Sequence, residues 1–152
     1  MRIEEVDAKL WHCGQLTRTL RAEHRIILEH MQVPTHRELR EAFQASYICK
    51  AWLLDGKLGA IAGVCGPAAT SDGVLWMAIS DEMAKHPSAV ARRALKFVAR
   101  VMKTKRHLST AILDGDKAGM AFAYFLGFMV DGREPINGVP AMQMSYSHRK
   151  AA

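Results

Sequence analysis

The side chains that most often bind metals or act as nucleophiles are scattered along this sequence of 152 residues. No pair of its seven histidines shows metal-ligand spacing with a third ligand, and no Ser/His/Asp or Cys/His set has a nucleophilic spacing. The three cysteines form no Cys-x-x-Cys pair. We therefore expect no metal site, and reduced thiols in a chain made in a cytoplasm. These residues are His12, His24, His30, His36, His86, His107 and His148, with Cys13, Cys49 and Cys65.

Basic side chains are the next residues that could bind a partner. Lys and Arg number 21 against 15 Asp and Glu, a net charge of +6, which favours nucleic acid, phosphate-bearing cofactors or acidic protein faces as partners. A predicted helix, Ser88–Lys105, carries basic residues opposite an apolar stripe: Arg92, Arg93, Lys96, Arg100 and Lys103. We interpret this face as solvated, with an acidic protein or packaged nucleic acid as the alternatives. Aromatic interleaving and base-reading motifs are missing, which argues against sequence-specific nucleic acid.

The elements that would position these residues follow from periodicity and turn signals. Asp55-Gly56 predicts a tight hairpin, Thr35 with Glu38 predicts a capping box, and Ser88 predicts a helix N-cap. No apolar run is long enough for a membrane helix, and the acidic N-terminus does not resemble a signal peptide. In chain order we predict strand Arg2–Val6, helix Leu16–Gln32, helix 35–46, strands Tyr47–Leu54, Leu58–Cys65 and Val74–Ser80, helix Ser88–Lys105, strand Leu108–Leu113, helix Asp116–Leu126, and strands Met129–Gly132 and Met142–Ser147.

This order, β-α-α-β-β-β-α-β-α-β-β, determines the expected fold class. An antiparallel meander that passes through a helix into a neighbouring strand predicts an α/β (α+β) fold. The sheet should be mixed and mostly antiparallel, with helices on both faces. With no repeat and no linker, residues 1–152 should form a single domain.

The late helix carries the strongest family resemblance. The segment from Asp116 to Phe128 resembles the GNAT N-acetyltransferase pattern Asn-x-x-Ala-x-x-x-Tyr-x-x-x-Gly-Phe. Gly127 would let the chain leave the helix through a left-handed turn, and Phe128 would then enter the core. The element order is also the one that GNAT proteins use, so the resemblance implies a GNAT-like domain.

The resemblance implies a site for acetyl-CoA, where a splayed strand would position the thioester and a helix start would lie under the pyrophosphate. The residues at these positions are Met77, Ala78 and Ile79 on the strand, and Ser88, Ala89, Val90, Arg92 and Arg93 on the helix. Active members have a loop of the form Arg-x-x-Gly-x-Gly there. This chain has no glycine in the stretch and two acids, Asp81 and Glu82, before the helix, which weakens the expected cofactor binding.

The family's catalytic tyrosine lies four residues before the glycine, where this chain has Ala123. Tyr124 follows one residue later, turned by about 100° around the helix axis. Tyr124 is therefore the candidate acid only if the register differs; otherwise it is a core or boundary aromatic residue. Four carboxylates could act as a general base, without a partner to identify one: Glu41, Asp72, Asp81 and Glu82.

A narrower resemblance, to the small GNAT-like internal virion proteins of short-tailed phages, extends over nearly the whole chain. It rests on Gly63-Val-Cys-Gly66, on a strand that ends near Ser80-Asp81, on the basic helix after it, and on Phe122 with Gly127. It implies a protein of the phage particle, made in the host cytoplasm, with other phage structural proteins or a second copy as partners. No membrane contact is expected.

Three functional hypotheses follow. The first is a GNAT-fold virion protein that acts mainly through protein contacts, with degenerate or weak catalysis and no cofactor. The second is an N-acetyltransferase that moves an acetyl group from acetyl-CoA to an amine. The third is an inhibitor that binds a host protein through the basic face. Because function resides in the site, fold analogy does not choose among them.

Overall fold

In a computed structural model, residues 1–147 can be described. Their strands are β1 (Ile3–Asp7), β2 (Ser46–Leu54), β3 (Lys57–Cys65), β4 (Asp72–Ile79), β5 (His107–Leu113), β6 (Met129–Arg133) and β7 (Ala141–Ser147). They form one sheet in the order β1-β2-β3-β4-β5-β7-β6. Only the β4–β5 pair of this sheet is parallel. The predicted mixed, mostly antiparallel sheet is confirmed.

Helices cover both faces of the sheet, as predicted. In the described residues they are α1 (Leu10–Thr17), α2 (Ala22–His30), α3 (Thr35–Ala45), α4 (Asp81–Ala84), α5 (Pro87–Val101) and α6 (Lys117–Leu126). Leu16, Leu39 and Ile61 belong to the core between α1–α3 and the sheet. Phe97 and Phe128 belong to the core on the opposite face, under α5 and α6. None of these helices is long and apolar enough to cross a membrane.

The β2–β3 hairpin forms at the predicted turn. Leu54 pairs with Lys57 across two turn residues, and both turn residues have positive φ angles, 49° at Asp55 and 82° at Gly56. Two positive φ angles are the signature of a type I′ turn, whose twist matches that of the strands. The local signal was sufficient here because the turn depends on these two residues alone.

The predicted single helix over Leu16–Gln32 is wrong. The chain forms α1 and α2 with a non-helical linker, residues 18–21, between them, which begins with a turn. Leu20 is fully buried and forms an isolated antiparallel bridge with Ser80. The Arg21 amide donates to the Ile79 carbonyl at 3.0 Å. These contacts with the end of β4 replace the helical hydrogen bonds that periodicity predicted.

Two predicted caps are also wrong. The α3 helix already includes Thr35, with Pro34 as its N-cap, so Thr35 does not begin a capping box. The α5 helix begins at Pro87 after the N-cap residue His86, and Ser88 lies inside its first turn. Proline suits the first helical position because an N–H there would have no acceptor within the helix, so its absence costs no hydrogen bond. The short helix α4, which the sequence did not predict, occupies the approach to α5.

Candidate functional site

A cleft opens in the sheet where β4 and β5 separate. The two strands pair only from Asp72 with His107 to Val74 with Ser109. One further contact follows, from the Thr110 hydroxyl to the Leu75 carbonyl at 3.0 Å. Beyond it, residues 76–79 of β4 and 111–113 of β5 have no mutual pairing. We call this gap the β4–β5 cleft.

The backbone of β4 faces this cleft at Met77 and Ile79. The Ser80 amide donates to the Gly59 carbonyl of β3 at 2.8 Å, and Ile79 pairs with Ala60. Peptide groups alternate in direction along a strand, so the N–H and C=O of Ile79 and Met77 point away from β3. The Ile79 carbonyl accepts a hydrogen bond from the Arg21 amide. Within residues 1–147, the Met77 backbone has no strand partner on that side.

The side chains of the three predicted β4 residues divide between the two faces. Met77 and Ile79 line a small cavity of about 20 Å³ together with Met83, Val90 and Arg93. Such a volume holds about one water molecule. Ala78 is buried in the opposite core, against α1–α3. The structure therefore brings Met77 and Ile79 together with Val90 and Arg93, while the Ala78 side chain faces away.

The segment between β4 and α5 uses its amides internally. The Ser80 hydroxyl accepts from the Met83 amide at 3.0 Å, and the Ser80 carbonyl accepts from the Ala84 amide at 3.0 Å. The amides of Lys85 and His86 donate to the carbonyls of Glu82 and Met83. These four N–H groups are consequently not directed at a ligand. A glycine-rich phosphate loop would leave such groups free.

The start of α5 retains two free amides. Pro87 has no N–H, and the Val90 amide donates to the His86 carbonyl at 3.1 Å. The amides of Ser88 and Ala89 have no partner in the described part of the chain. Ala89 is buried, whereas Ser88 is exposed. This helix start offers two donors and the positive end of the helix dipole to an anion.

Charged side chains near α5 are arranged more favourably for an anion than the sequence suggests. The Asp81 carboxylate accepts from the Ala22 amide at 3.1 Å, at the start of α2. Glu82 forms an ion pair with Lys85 at 2.8 Å, which lowers the pKa of Glu82 and raises that of Lys85. Arg92 and Arg93 have no ion-pair partner among residues 1–147. Neither acid caps α5, and both arginines are available to phosphate.

The end of α6 has the predicted left-handed exit and buried aromatic residue. Gly127 has a φ of 102° at the C-cap, and Phe128 is buried. Ala123, at the family's tyrosine position, is also buried. The Tyr124 side chain is 51% exposed on the outer side of α6. Its role as the acid stays a prediction, and the structure gives its hydroxyl no orienting hydrogen bond within the described residues.

A largely buried ion pair near the cleft was not predicted from the sequence. Arg21 contacts Asp116 through two hydrogen bonds, from Nη2 to Oδ2 at 2.8 Å and from Nη1 to Oδ1 at 3.3 Å. Asp116 is the N-cap of α6 and also accepts from the Gly119 amide at 3.0 Å. His24 lies near this pair; burial, and then the Arg21 charge, lower its pKa to about 4, although Asp116 opposes the shift. The capping pattern at Asp116 was visible in the sequence, but its partner 95 residues away was not.

Other candidate chemistry is sparse. Among residues 1–147, no group of three histidine, cysteine or acidic side chains could hold a metal ion. Burial raises the pKa of the Cys49 thiol to about 12 and also raises that of Cys13. A thiol with a raised pKa is a poor nucleophile at neutral pH. His148, which the sequence analysis also named, lies outside the described residues.

Comparisons with known proteins support the fold. No family model matches the sequence, and no curated protein matches it. Among solved structures, the aminoglycoside acetyltransferase AAC(6')-Ib with coenzyme A is similar at a TM-score of 0.71 and 13% identity, over 98% of this chain and 96% of that chain.

Two further solved structures are similar over nearly their whole length. A GNAT-family acetyltransferase of Streptococcus pneumoniae gives a TM-score of 0.63 at 13% identity, over 96% of this chain and 99% of that chain. The YncA protein of Salmonella typhimurium, solved with acetyl-CoA, gives a TM-score of 0.65 at 14% identity, over 95% of this chain and 93% of that chain. The chain therefore has the GNAT acetyltransferase fold.

Proposed function

We propose that this chain binds acetyl-CoA in the β4–β5 cleft and supports slow transfer of the acetyl group to an amine. The observation that carries the proposal is the open backbone edge at Met77. Its N–H and C=O face the cleft without a strand partner in the described residues. An extended ligand with amide groups can pair with such an edge as an added strand does. The pantetheine arm of acetyl-CoA has two such amides.

The residues of the site suit the pantetheine arm of acetyl-CoA better than its diphosphate. The Met77 backbone would hold the pantetheine arm, and the amides of Ser88 and Ala89 would hold the diphosphate together with Arg92 and Arg93. Once bound, acetyl-CoA supplies an activated thioester whose C–S bond breaks as an amine nitrogen bonds to the acetyl carbon. The four amides of the α4 segment donate within that segment, so the diphosphate anchor is small. We therefore expect weak binding.

Proton transfer is the second reason to expect slow chemistry. The amine must lose a proton and the departing thiolate must gain one. Tyr124, the acid that the family resemblance suggests, is exposed on α6. His24 has a pKa of about 4, so it is neutral at pH 7 but only a weak base. The chain's own contribution is then mainly to bind and orient the reactants.

Calorimetric titration with acetyl-CoA tests this proposal. We expect a dissociation constant between roughly 10 µM and 1 mM, the range of a ligand with a partial anchor. The double variant Arg92→Gln, Arg93→Gln should bind about tenfold more weakly, since two phosphate contacts are lost. Arg37→Gln is the matched control, because Arg37 forms an exposed ion pair with Glu41 on α3. No heat at millimolar ligand would refute cofactor binding.

A role through protein contacts in a phage particle is the second candidate. It is favoured by a group of large apolar side chains that are exposed at the end of α6 and on the edge strand β6: Tyr124, Phe125, Met129 and Val130. Exposed apolar clusters often mark protein contacts, and an edge strand can pair with another chain. The partners would be other phage structural proteins or a second copy of this chain. Mass spectrometry of purified particles tests it, and absence from intact particles would contradict it.

A further inference from the structure

Pairing within the sheet does not determine the width of the β4–β5 cleft at its open end. The last β4–β5 pair is Val74 with Ser109, and the strands then continue for five and four residues without pairing to each other. Ile79 ends one side of the cleft, and Asp116 follows the end of the other. Something other than the strand ladder must hold these two ends at a fixed separation.

Arg21 contacts both ends. Its amide donates to the Ile79 carbonyl at 3.0 Å, and its guanidinium makes the two hydrogen bonds to the Asp116 carboxylate. The linker around it is also fixed to the start of α4, directly after β4, because the Asp81 amide donates to the Thr19 carbonyl at 2.9 Å. The side chains of Arg21 and Asp116 are only 15% and 11% exposed. Low exposure strengthens a bidentate pair because water screens it little.

Gly119 provides independent evidence that the chain accommodates this pair. A Cβ at position 119 would lie 2.4 Å from Oδ2 of Asp116, the oxygen that Arg21 Nη2 contacts. Any other residue there would displace the carboxylate. Glycine inside a helix costs about 1 kcal/mol relative to alanine, and here it makes room for the Asp116 side chain.

We propose that Arg21 is a positioning residue that ties Ile79 to Asp116 and thereby sets the width of the β4–β5 cleft. A cleft of fixed width would hold the thioester in one place for the incoming amine. This effect on acetyl transfer rests on the proposed function. The tie itself is a property of the free protein. Its test can therefore be separated from the test of cofactor binding.

Distance measurement between spin labels tests the tie without a ligand. Labels at Glu82→Cys and Lys117→Cys, both exposed positions, report on the ends of β4 and β5. Cys49→Ala and Cys65→Ala remove the half-buried thiols, and Cys13 is fully buried. Arg21→Gln should broaden the distance distribution about twofold relative to the parent, because the strand ends then sample several separations. An unchanged distribution in Arg21→Gln would overturn the proposal.

Two further variants keep the test decisive if Arg21→Gln folds poorly. Asp116→Asn keeps an oxygen that can cap α6 but loses the charge, and Gly119→Ala displaces the carboxylate. Both should broaden the distribution in the same way, whereas Arg37→Gln on α3 should not. Unchanged distributions in Asp116→Asn and Gly119→Ala would likewise overturn the tie.

Acetyl-CoA affinity then tests the consequence. The variants without the tie should bind about five- to tenfold more weakly, since a cleft that is not preorganised must be ordered on binding. Equal affinity in the parent and the variants would overturn the positioning role. If the parent itself does not bind acetyl-CoA, the proposed function fails, while the label distances still decide whether Arg21 ties the strand ends.

Discussion

At the scale of single residues, Lys105 has the most unusual surroundings. Its ammonium donates to the carbonyls of Pro67 and Thr70 at 2.7 Å each and lies 4.7 Å from the centre of the Tyr47 ring. Only 1% of the residue is exposed. The sequence placed Lys105 at the end of the predicted helix Ser88–Lys105 and did not predict its burial. The charge of Lys105 does not indicate that the backbone carbonyls of Pro67 and Thr70 accept hydrogen bonds from its ammonium.

Lys105→Met should destabilise the protein by about 2–3 kcal/mol, because charge-assisted hydrogen bonds to the loop at residues 67–70 are lost. Urea unfolding followed by circular dichroism measures this change. Lys103→Met is the control, since Lys103 is exposed and should change stability by less than about 0.5 kcal/mol. Equal stabilities of the two variants would contradict the structural role of Lys105.

His24 predicts a pH dependence of stability. Its pKa falls from 6.5 in the unfolded chain to about 4 in the folded protein. The unfolded state therefore binds more protons between these values, so stability is complete above about pH 6.5 and decreases as the pH falls towards 4. The decrease should reach about 2 kcal/mol, with the ring still partly exposed.

His24→Gln should remove this part of the pH dependence. Urea unfolding at pH 7, 6 and 5 measures it, and the difference between wild type and variant isolates His24 from other titrating groups. His12, whose pKa is also lowered by burial, contributes in the same direction and is present in both proteins. A variant with the same pH dependence as the wild type would show that His24 titrates normally.

At the scale of elements, the exit of α6 depends on Gly127. Its φ of 102° suits glycine, and a Cβ there would lie 2.8 Å from the Tyr146 ring. Gly127→Ala should therefore destabilise the protein by about 1–3 kcal/mol. Thermal and urea unfolding measure it. Gly132→Ala is the control, because Gly132 has an ordinary φ and open space around it; an equal effect of both substitutions would refute this account.

Elements fixed by local chemistry were predictable, and those fixed by distant contacts were not. The Asp55-Gly56 turn, the apolar face of α5 and the Gly127 exit each depend on residues close in sequence. The break between α1 and α2 depends on Leu20 and Arg21 pairing with the end of β4, about 60 residues away. Helical periodicity in Leu16–Gln32 is real, but backbone hydrogen bonds to the sheet outweigh it.

At the scale of the whole molecule, element order predicted the mixed, mostly antiparallel sheet with helices on both faces, and the family resemblance implied a splayed strand at Met77–Ile79. Chemistry at the cleft was harder to foresee, because it depends on which backbone groups are free. The sequence suggested that Asp81 and Glu82 would repel an anion at α5, yet Asp81 accepts from the Ala22 amide at the start of α2 and Glu82 pairs with Lys85. Acetyl-CoA binding, which the residues alone disfavoured, is our first proposal because the backbone edge at Met77 is open and neither acid lies at the start of α5.

The most direct test of the central claim is the amide spectrum of ¹⁵N-labelled protein titrated with acetyl-CoA. We predict that the amide signals of Met77, Ser88 and Ala89 shift progressively with ligand. The amide signals of Arg37 and Glu41, two exposed residues of α3, should not shift. Shifts confined to other regions, or no shifts at millimolar acetyl-CoA, would contradict a cofactor site in the β4–β5 cleft.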